Sequence, residues 1–171
     1  MPRYKIKEHI VYMHMKEFSI QFFQLSKEKV RCPLIPEVIR FGKELKGKIG
    51  IISVRYGKRM LSILSPTLLD EITEDEFVEV IDYDPVKNSL MFIGEHQPDM
   101  LLAVHWIVLR AREDINIIVH LYDGKDILNP LERAKKILSS VKGDSYIFND
   151  KNEVLFLGKS FVEIIERIGR N

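Results

Sequence analysis

Two side chains capable of acid–base chemistry, His120 and Tyr122, end a short run rich in Ile and Val. A spacing of two residues would place both on one face of a β-strand. One hypothesis is therefore an enzyme in which Tyr122 moves a proton beside His120 while Arg55 holds an anion. The alternative is structural, because a single histidine that ends an apolar strand is more often a hydrogen-bonded core residue.

His120 is also the only candidate metal ligand in this run. A metal site would need further donors, and Asp123, Glu95 or His96 could supply them. We expect His105, which lies in the preceding apolar run, to be structural and hydrogen-bonded between a helix and the sheet. On the residues alone, no cofactor is expected.

A locally basic region lies upstream of these histidines. It is predicted to be either a surface for a small anionic ligand or partner, or a solvated helix face with a hairpin tip. Its members are Arg40, Lys43, Lys46, Lys48, Arg55, Lys58 and Arg59.

Composition narrows the class of protein. The 171 residues fit one domain with a sizeable core, and 26 basic against 25 acidic residues remove the electrostatic case for nucleic acid as the main partner. No apolar run is long enough to span a membrane, and no signal peptide is evident, so no membrane partner is expected. The single cysteine, Cys32, indicates a reducing, cytoplasmic location. High Lys, Glu and Ile with little Gln suits a heat-adapted organism.

The elements that must position these residues follow from hydrophobic spacing and turn signals. The central stretch predicts a buried helix from Leu101 to about Ala111, a turn, and a buried strand from Ile115 to Tyr122. The other predicted helices are 36–47, one beginning at Pro130 with Asn129 as N-cap, and one capped by Ser160. The other predicted strands are a hairpin over 50–64 and the runs 77–83, 89–93, 146–148 and 154–157.

The N-terminal segment carries an apolar stripe at helical spacing. Its members are Val11, Met15, Phe18, Phe22 and Leu25. The spacing predicts a helix over 8–25, packed on its own domain or used as a subunit contact. The domain prediction is accordingly one unit, 1–171, with residues 1–33 as an N-terminal helical extension.

Several motifs occur in a meaningful order. They are Gly50-Ile51-Ile52-Ser53-Val54-Arg55; Ser65-Pro66-Thr67 with Ile72-Thr73 and Phe77-Val78-Glu79-Val80; and His105 through Arg112-Glu113-Asp114 to Ile118-Val119-His120. Together they resemble the class II aldolase/adducin family, with its patterns G-N-x-S-x-R, [ST]-P-[ST]-G, and E-x-x-x-H followed by R-P-D and V-V-H-x-H. A weaker likeness is Asn152 to Gly158, where the family has H-G-x-x-x-x-G. The resemblance covers roughly residues 36–168.

This resemblance implies an α/β fold, a three-layer α/β/α domain with a mostly antiparallel central sheet, assembled as a tetramer. The family's fuculose-phosphate aldolase-like enzymes use zinc held by three histidines, and a glutamate moves the proton. Such chemistry needs a metal with one open coordination position and a nearby carboxylate of adjusted pKa.

Carried over position by position, the resemblance implies a degenerate site. The family's zinc histidines fall on His120, on Tyr122 and on or near Asn152, and the proton-moving glutamate falls on Leu101. A tyrosine hydroxyl or an amide oxygen is a poor zinc ligand beside histidine, and leucine has no proton to transfer.

The family's phosphate site is partly kept. The retained candidates for ligand binding are Ser53, Arg55, Ser65 and Thr67. Other family positions are changed to Ile51, Leu68, Asp99 and Met100. Because an aspartate would repel a phosphate, Asp99 argues against the family's substrate class.

The sequence thus favours a non-catalytic binding or assembly module with a class II aldolase-like fold, forming a homo-oligomer. The alternative is a metal-dependent aldolase or related lyase acting on a small phosphorylated sugar, with a site rebuilt around His120 and zinc as its cofactor.

Overall fold

Nine strands form one mixed sheet in the computed structural model, which describes residues 19–122 and 129–170. The strands are β1 (Gln21–Ser26), β2 (Ile49–Tyr56), β3 (Arg59–Ile63), β4 (Thr67–Leu68), β5 (Phe77–Asp84), β6 (Ser89–Ile93), β7 (Ile117–Leu121), β8 (Ile147–Asp150) and β9 (Glu153–Gly158). Their order is β1-β6-β5-β3-β2-β7-β9-β8, with β4 paired to β2. Among these described strands, only β1 and β6 pair in parallel; the other pairs are antiparallel.

Within the described residues, four α-helices cover the two faces of this sheet. They are α1 (Ile35–Gly42), α2 (Leu101–Ala111), α3 (Pro130–Ser140) and α4 (Phe161–Gly169). Alternate residues of a strand face opposite sides. On one side, Ser53 of β2 bonds to His105 of α2, and Glu153 of β9 pairs with Arg133 of α3.

The opposite face is covered by α1 and α4. A Cβ at Gly158 of β9 would lie 2.9 Å from the side chain of Arg167 and 3.0 Å from that of Ile164, both in α4, so this helix packs closely on the strand. The rings of Phe41 in α1 and Phe161 in α4 have centroids 4.5 Å apart. The predicted three-layer α/β/α fold with a mostly antiparallel sheet is confirmed.

The central stretch has the predicted helix and strand. Nearly every side chain of α2 from Leu101 to Leu109 is buried, as expected for a helix that is apolar on all sides. The turn after it is held by an ion pair between Arg112 and Asp114 at 2.6 Å, and this contact lowers the pKa of Asp114 to about 2. The strand itself begins at Ile117, two residues later than predicted.

The predicted helix over 8–25 is wrong for its described part. Residues Gln21–Ser26 form β1, which pairs with β6, with Phe22 opposite Leu90. The edge strand β6 offers this segment backbone hydrogen bonds, and the spacing of apolar residues that predicted a helix carries no information about such a partner. Phe22 is half-buried, whereas Leu25, three residues on, is 56% exposed, because residues three apart in a strand face opposite sides.

Within the N-terminal extension 1–33, Val11, Met15 and Phe18 lie outside the described residues. The other predicted elements are present with shifted ends. The helix predicted over 36–47 ends at Gly42, and the last strands run from Ile147 and Glu153. Among residues 19–122 and 129–170, no helix is long and apolar enough to cross a membrane.

Candidate functional site

A row of buried polar side chains crosses the interface between α2 and the sheet. Ser62 Oγ lies 2.8 Å from Ser53 Oγ, and Ser53 Oγ lies 2.7 Å from His105 Nδ1. His105 Nε2 lies 2.9 Å from His120 Nδ1. All four side chains belong to fully buried residues, so every polar atom must find its partner within the protein. We call this row the polar relay.

The polar relay ends on an ion pair. His120 Nε2 lies 2.8 Å from Glu153 Oε2, and the carboxylate of Glu153 pairs with the guanidinium of Arg133. Arg133 also reaches Asp150 at 3.2 Å, and Lys136 reaches the same carboxylate at 2.9 Å. The side chain of Glu153 is 6% exposed and that of Arg133 is 19% exposed, so this pair is largely shielded from water.

The ion pair fixes the direction of hydrogen bonding along the relay. A carboxylate paired with a guanidinium only accepts hydrogen bonds, so His120 donates from Nε2. A neutral His120 then accepts at Nδ1, which makes His105 the donor from its Nε2. By the same reasoning His105 accepts at Nδ1 from Ser53.

Both histidines stay neutral in the folded chain. Burial, and then the positive charge of Arg133, lowers the pKa of His120 to about 3. Burial, and then the neighbouring His120, holds the pKa of His105 well below its ordinary value. The predicted structural role of His105 between helix and sheet is therefore borne out by its contacts.

A cleft of about 410 Å³ opens at this end of the sheet. Its lining includes Tyr122, Asp150, Lys151, Asn152 and Glu153. The ring of Tyr122 lies beside His120, with centroids 5.4 Å apart, in line with their predicted place on one strand face. The tyrosine and Glu153 of the ion pair therefore form part of the cleft wall, while the tyrosine hydroxyl itself is buried.

The four predicted ligand-binding residues have separate environments. Ser53 lies inside the polar relay. The guanidinium of Arg55 binds the main-chain oxygens of Leu109, Arg112 and Ile115, where α2 ends. Arg55 thus donates to a carbonyl in the last turn of α2 and to two carbonyls of the turn that follows it.

Ser65 and Thr67, which begins β4, lie nearer the surface. Ser65 is exposed, and Thr67 donates a hydrogen bond of 3.1 Å to Glu76. Their role in ligand binding remains a prediction.

Other positions implied by the resemblance are also accounted for. Leu101 is fully buried in the core, and Asn152 lies at the cleft. Asp99 accepts a hydrogen bond of 2.8 Å from the backbone N–H of Leu101, so its carboxylate holds the first turn of α2. The proposed metal partner Asp123 lies outside the described residues, and Glu95 and His96 are exposed.

The donors present do not fit a zinc ion. A metal ligand must offer a lone pair, whereas Nε2 of His120 donates its proton to Glu153. The permanent charge of Arg133 lies against the same carboxylate and would repel a divalent cation. Within the described part of the chain, no three His, Cys, Asp or Glu side chains converge to hold a metal ion.

Comparison with known proteins bears on the family. No protein family model matches the chain. Over 93 residues it is 32% identical to a protein named 5-deoxy-D-ribulose 1-phosphate aldolase from Bacillus thuringiensis serovar kurstaki, a match that covers 50% of this chain and 42% of that relative. The chain therefore spans less than half the length of this curated relative.

Solved structures show the same fold. An L-fuculose 1-phosphate aldolase aligns with a TM-score of 0.60 at 18% identity, covering 83% of this chain and 84% of the other. YgbL from Klebsiella pneumoniae, described as a putative aldolase/epimerase/decarboxylase, aligns with a TM-score of 0.59 at 15% identity, covering 79% and 83%. The chain therefore has the fold of these aldolases, and part of its sequence is similar to a protein named as an aldolase. The aldolase-like fold places its polar relay at the end of the sheet that carries the cleft.

Sequence reasoning missed two residues of this site. Glu153, rather than an amide or a second histidine, is the partner of His120, and Arg133 completes the group. One signal for Glu153 was available, because an acid stands directly before the apolar run Val154 to Leu157. Arg133 offered none, since a charged residue in a helix usually faces solvent.

Proposed function

We propose that this chain is a class II aldolase-like domain that serves as a binding or assembly module and does not carry out zinc-dependent aldol chemistry. The observation that carries this proposal is the hydrogen bond from His120 Nε2 to Glu153, whose carboxylate is neutralised by Arg133. Nε2 of the histidine retained from the family pattern therefore carries a proton and offers no lone pair to a metal.

Two further observations support the absence of aldol catalysis. Leu101, at the position of the family's proton-moving glutamate, is fully buried and cannot exchange a proton. The guanidinium of Arg55, a candidate for anion binding, is occupied by carbonyl oxygens at the end of α2. An aldolase needs an electrophile for the substrate oxygen and a base for the proton, and neither role has an evident holder here.

The cleft beside Tyr122 is the proposed binding site for a small ligand. It combines a phenol with amide and carboxylate groups from the turn at Asn149–Glu153, and Lys151 supplies a cation for an anionic ligand. Binding is tested by calorimetric titration with inorganic phosphate and sugar phosphates. The matched variants are Tyr122→Phe in the cleft and Tyr56→Phe on the exposed end of β2. Weaker binding in the first variant alone supports the cleft; equal binding in both removes it.

Assembly into a homo-oligomer is proposed from the edge of the sheet. Phe23 and Leu25 are 51% and 56% exposed on β1, an outer strand of the described sheet. An edge strand with exposed apolar side chains is a template for pairing with another chain. Light scattering should give a mass above that of one chain, and Phe23→Lys with Leu25→Lys should lower it. A monomeric parent chain would contradict this part of the proposal.

Catalysis is tested directly with 5-deoxyribulose 1-phosphate and fuculose 1-phosphate. We expect no aldehyde release from either sugar phosphate, with or without added zinc. Sustained cleavage that is lost in His120→Asn would overturn the proposal.

The alternative function is an aldolase or related lyase acting on a small phosphorylated sugar, with a site rebuilt around His120. The 32% identity to a protein named as an aldolase favours it. So does the place of Tyr122 in the wall of the cleft, beside His120. Turnover that Tyr122→Phe abolishes without changing the unfolding midpoint would favour this function.

A further inference from the structure

The helix α4 packs one face on the sheet and carries an apolar pair on its exposed side. Ile164 is fully buried beside Gly158 of β9, whereas Val162 is 65% exposed and Ile165 is 43% exposed. Because residues three apart are neighbours on a helix surface, the two exposed side chains form one patch. Among the residues that the structure describes, no other α-helix exposes a large apolar side chain to this extent. The patch is therefore a candidate contact for another chain.

The helix α1 lies beside α4 on the same face of the sheet. The rings of Phe41 in α1 and Phe161 in α4 have centroids 4.5 Å apart, so the two helices pack side by side. Val38 and Phe41 of α1 are buried, whereas Arg40 is exposed. The exposed sides of both helices thus point away from the sheet and adjoin each other. We call them together the outer helix surface.

The outer helix surface carries charges of both signs. On α4, Glu163 pairs with Arg167, whereas Glu166 is exposed and forms no ion pair with Arg170, four residues on, or with any other described residue. Six exposed charges lie on α1 and in the turn after it, and no ion pair between described residues includes any of them. They are the cations Arg40, Lys43, Lys46 and Lys48 and the acids Glu37 and Glu44. The surface therefore has surplus cations on its α1 side and an acid on its α4 side.

We propose that a second copy of this chain docks on the outer helix surface across a two-fold axis. In this dimer Val162 and Ile165 of the two copies pack together, and Glu166 of each copy faces Arg40 of the other. A two-fold axis brings the same patch of both copies into contact, so the patch must complement itself. An apolar pair flanked by an acid on α4 and by cations on α1 meets that requirement.

Nucleic acid, another partner that exposed cations attract, fits this surface less well. Its phosphates would meet Glu37, Glu44 and Glu166 beside the cations, and like charges repel. A phosphate backbone would also leave the apolar pair exposed to water. The whole chain has a net charge of only +1, which gives no long-range attraction for a polyanion.

This contact goes beyond the proposed function, because it uses a second surface. Assembly through β1 involves one end of the sheet, whereas α4 packs on β9 near the other end. Separate substitutions therefore disrupt the two contacts, and either can fail without the other.

Sedimentation equilibrium of the full chain and its variants measures the association. Val162→Asp places one carboxylate from each copy in the apolar centre, and we expect it to weaken association at least about 100-fold. Arg40→Glu and Glu166→Arg should each weaken association about 10-fold, because each sets like charges against each other across the contact. All three side chains are exposed, so circular dichroism should show an unchanged fold.

The charge swap separates a specific contact from general attraction. Arg40→Glu combined with Glu166→Arg restores opposite charges across the axis and should return association to within about threefold of the parent chain. Lys135→Glu, on the exposed side of α3, is the matched control and should leave association unchanged.

Three results would overturn the proposal. The first is unchanged association in Val162→Asp, and the second is a charge-swapped variant that associates no better than either single variant. The third is a parent chain that stays monomeric, which would also contradict assembly through β1. Association lost only in Phe23→Lys with Leu25→Lys would leave the β1 contact standing and remove this one.

Discussion

Acidification should destabilise the folded chain well above the pH at which carboxylates titrate. His105 and His120 are both fully buried, and burial holds the pKa of each below the ordinary value of 6.5, that of His120 at about 3. Each histidine stays neutral when folded and takes up a proton when unfolded. Stability is therefore fully present above pH 6.5 and falls as the pH drops below it.

The size of this effect follows from the two pKa values. A difference of one pKa unit corresponds to about 1.4 kcal/mol. Between pH 7 and pH 5 the expected loss in the free energy of unfolding from His120 is about 2 kcal/mol, because its pKa of about 3 lies below this range, and His105 adds a loss in the same direction. Carboxylates held at low pKa, such as Asp114 beside Arg112, lose their contribution only below about pH 4, outside this window.

The assay is urea unfolding at pH 7, 6 and 5, followed by circular dichroism. His105→Gln, which keeps a polar group between Ser53 and His120, should reduce the pH dependence. His96→Gln, on the surface, is the matched control and should leave it as in the parent chain. A free energy of unfolding that does not change between pH 7 and pH 5 would refute the account of two buried, neutral histidines.

Three further changes test the framework around the site. Arg55→Met should lower the free energy of unfolding by about 2 kcal/mol in urea titrations, because carbonyls at the end of α2 lose a charged donor; sugar-phosphate binding lost without destabilisation would instead show an anion-binding role. Gly50→Ala should prevent stable folding, because the added Cβ would lie 2.1 Å from the main-chain oxygen of His120. Thermal unfolding followed by circular dichroism tests this, and a melting curve like that of the parent chain would contradict the packing. Asn129→Ala should lower the free energy of unfolding by about 1 kcal/mol, because it removes the side-chain oxygen that accepts a hydrogen bond from the Glu132 N–H. A change of less than about 0.3 kcal/mol in the same urea assay would argue against this cap.

The framework was predictable because its signals are local. The buried helix α2 starts and ends where its apolar run does, at Leu101 and Ala111. The hairpin turn at Gly57, with φ of +59°, and the caps at Asn129 and Ser160 are encoded within four residues of sequence. The resemblance to the class II aldolases also rested on such local motifs in order.

The errors came from contacts between distant segments. Residues 21–26 form a strand because β6 offers an edge for pairing some 68 residues away, with Gln21 opposite Ser89. The partner of His120 is set by the register of β7 and β9, which brings Glu153 beside it. Arg133 then joins from a helix whose spacing alone indicates an ordinary solvated position. Such pairings depend on tertiary context, which a single sequence does not display.

The central claim is that the retained histidine serves the protein interior and not a metal. The most direct test is elemental analysis of the untagged full chain after mild dialysis, repeated with added zinc. The account predicts no stoichiometric zinc in either preparation, because His120 Nε2 donates to Glu153 and Arg133 supplies the neutralising charge. About one zinc ion per chain, lost in His120→Asn, would contradict it and point instead to a metal-dependent enzyme.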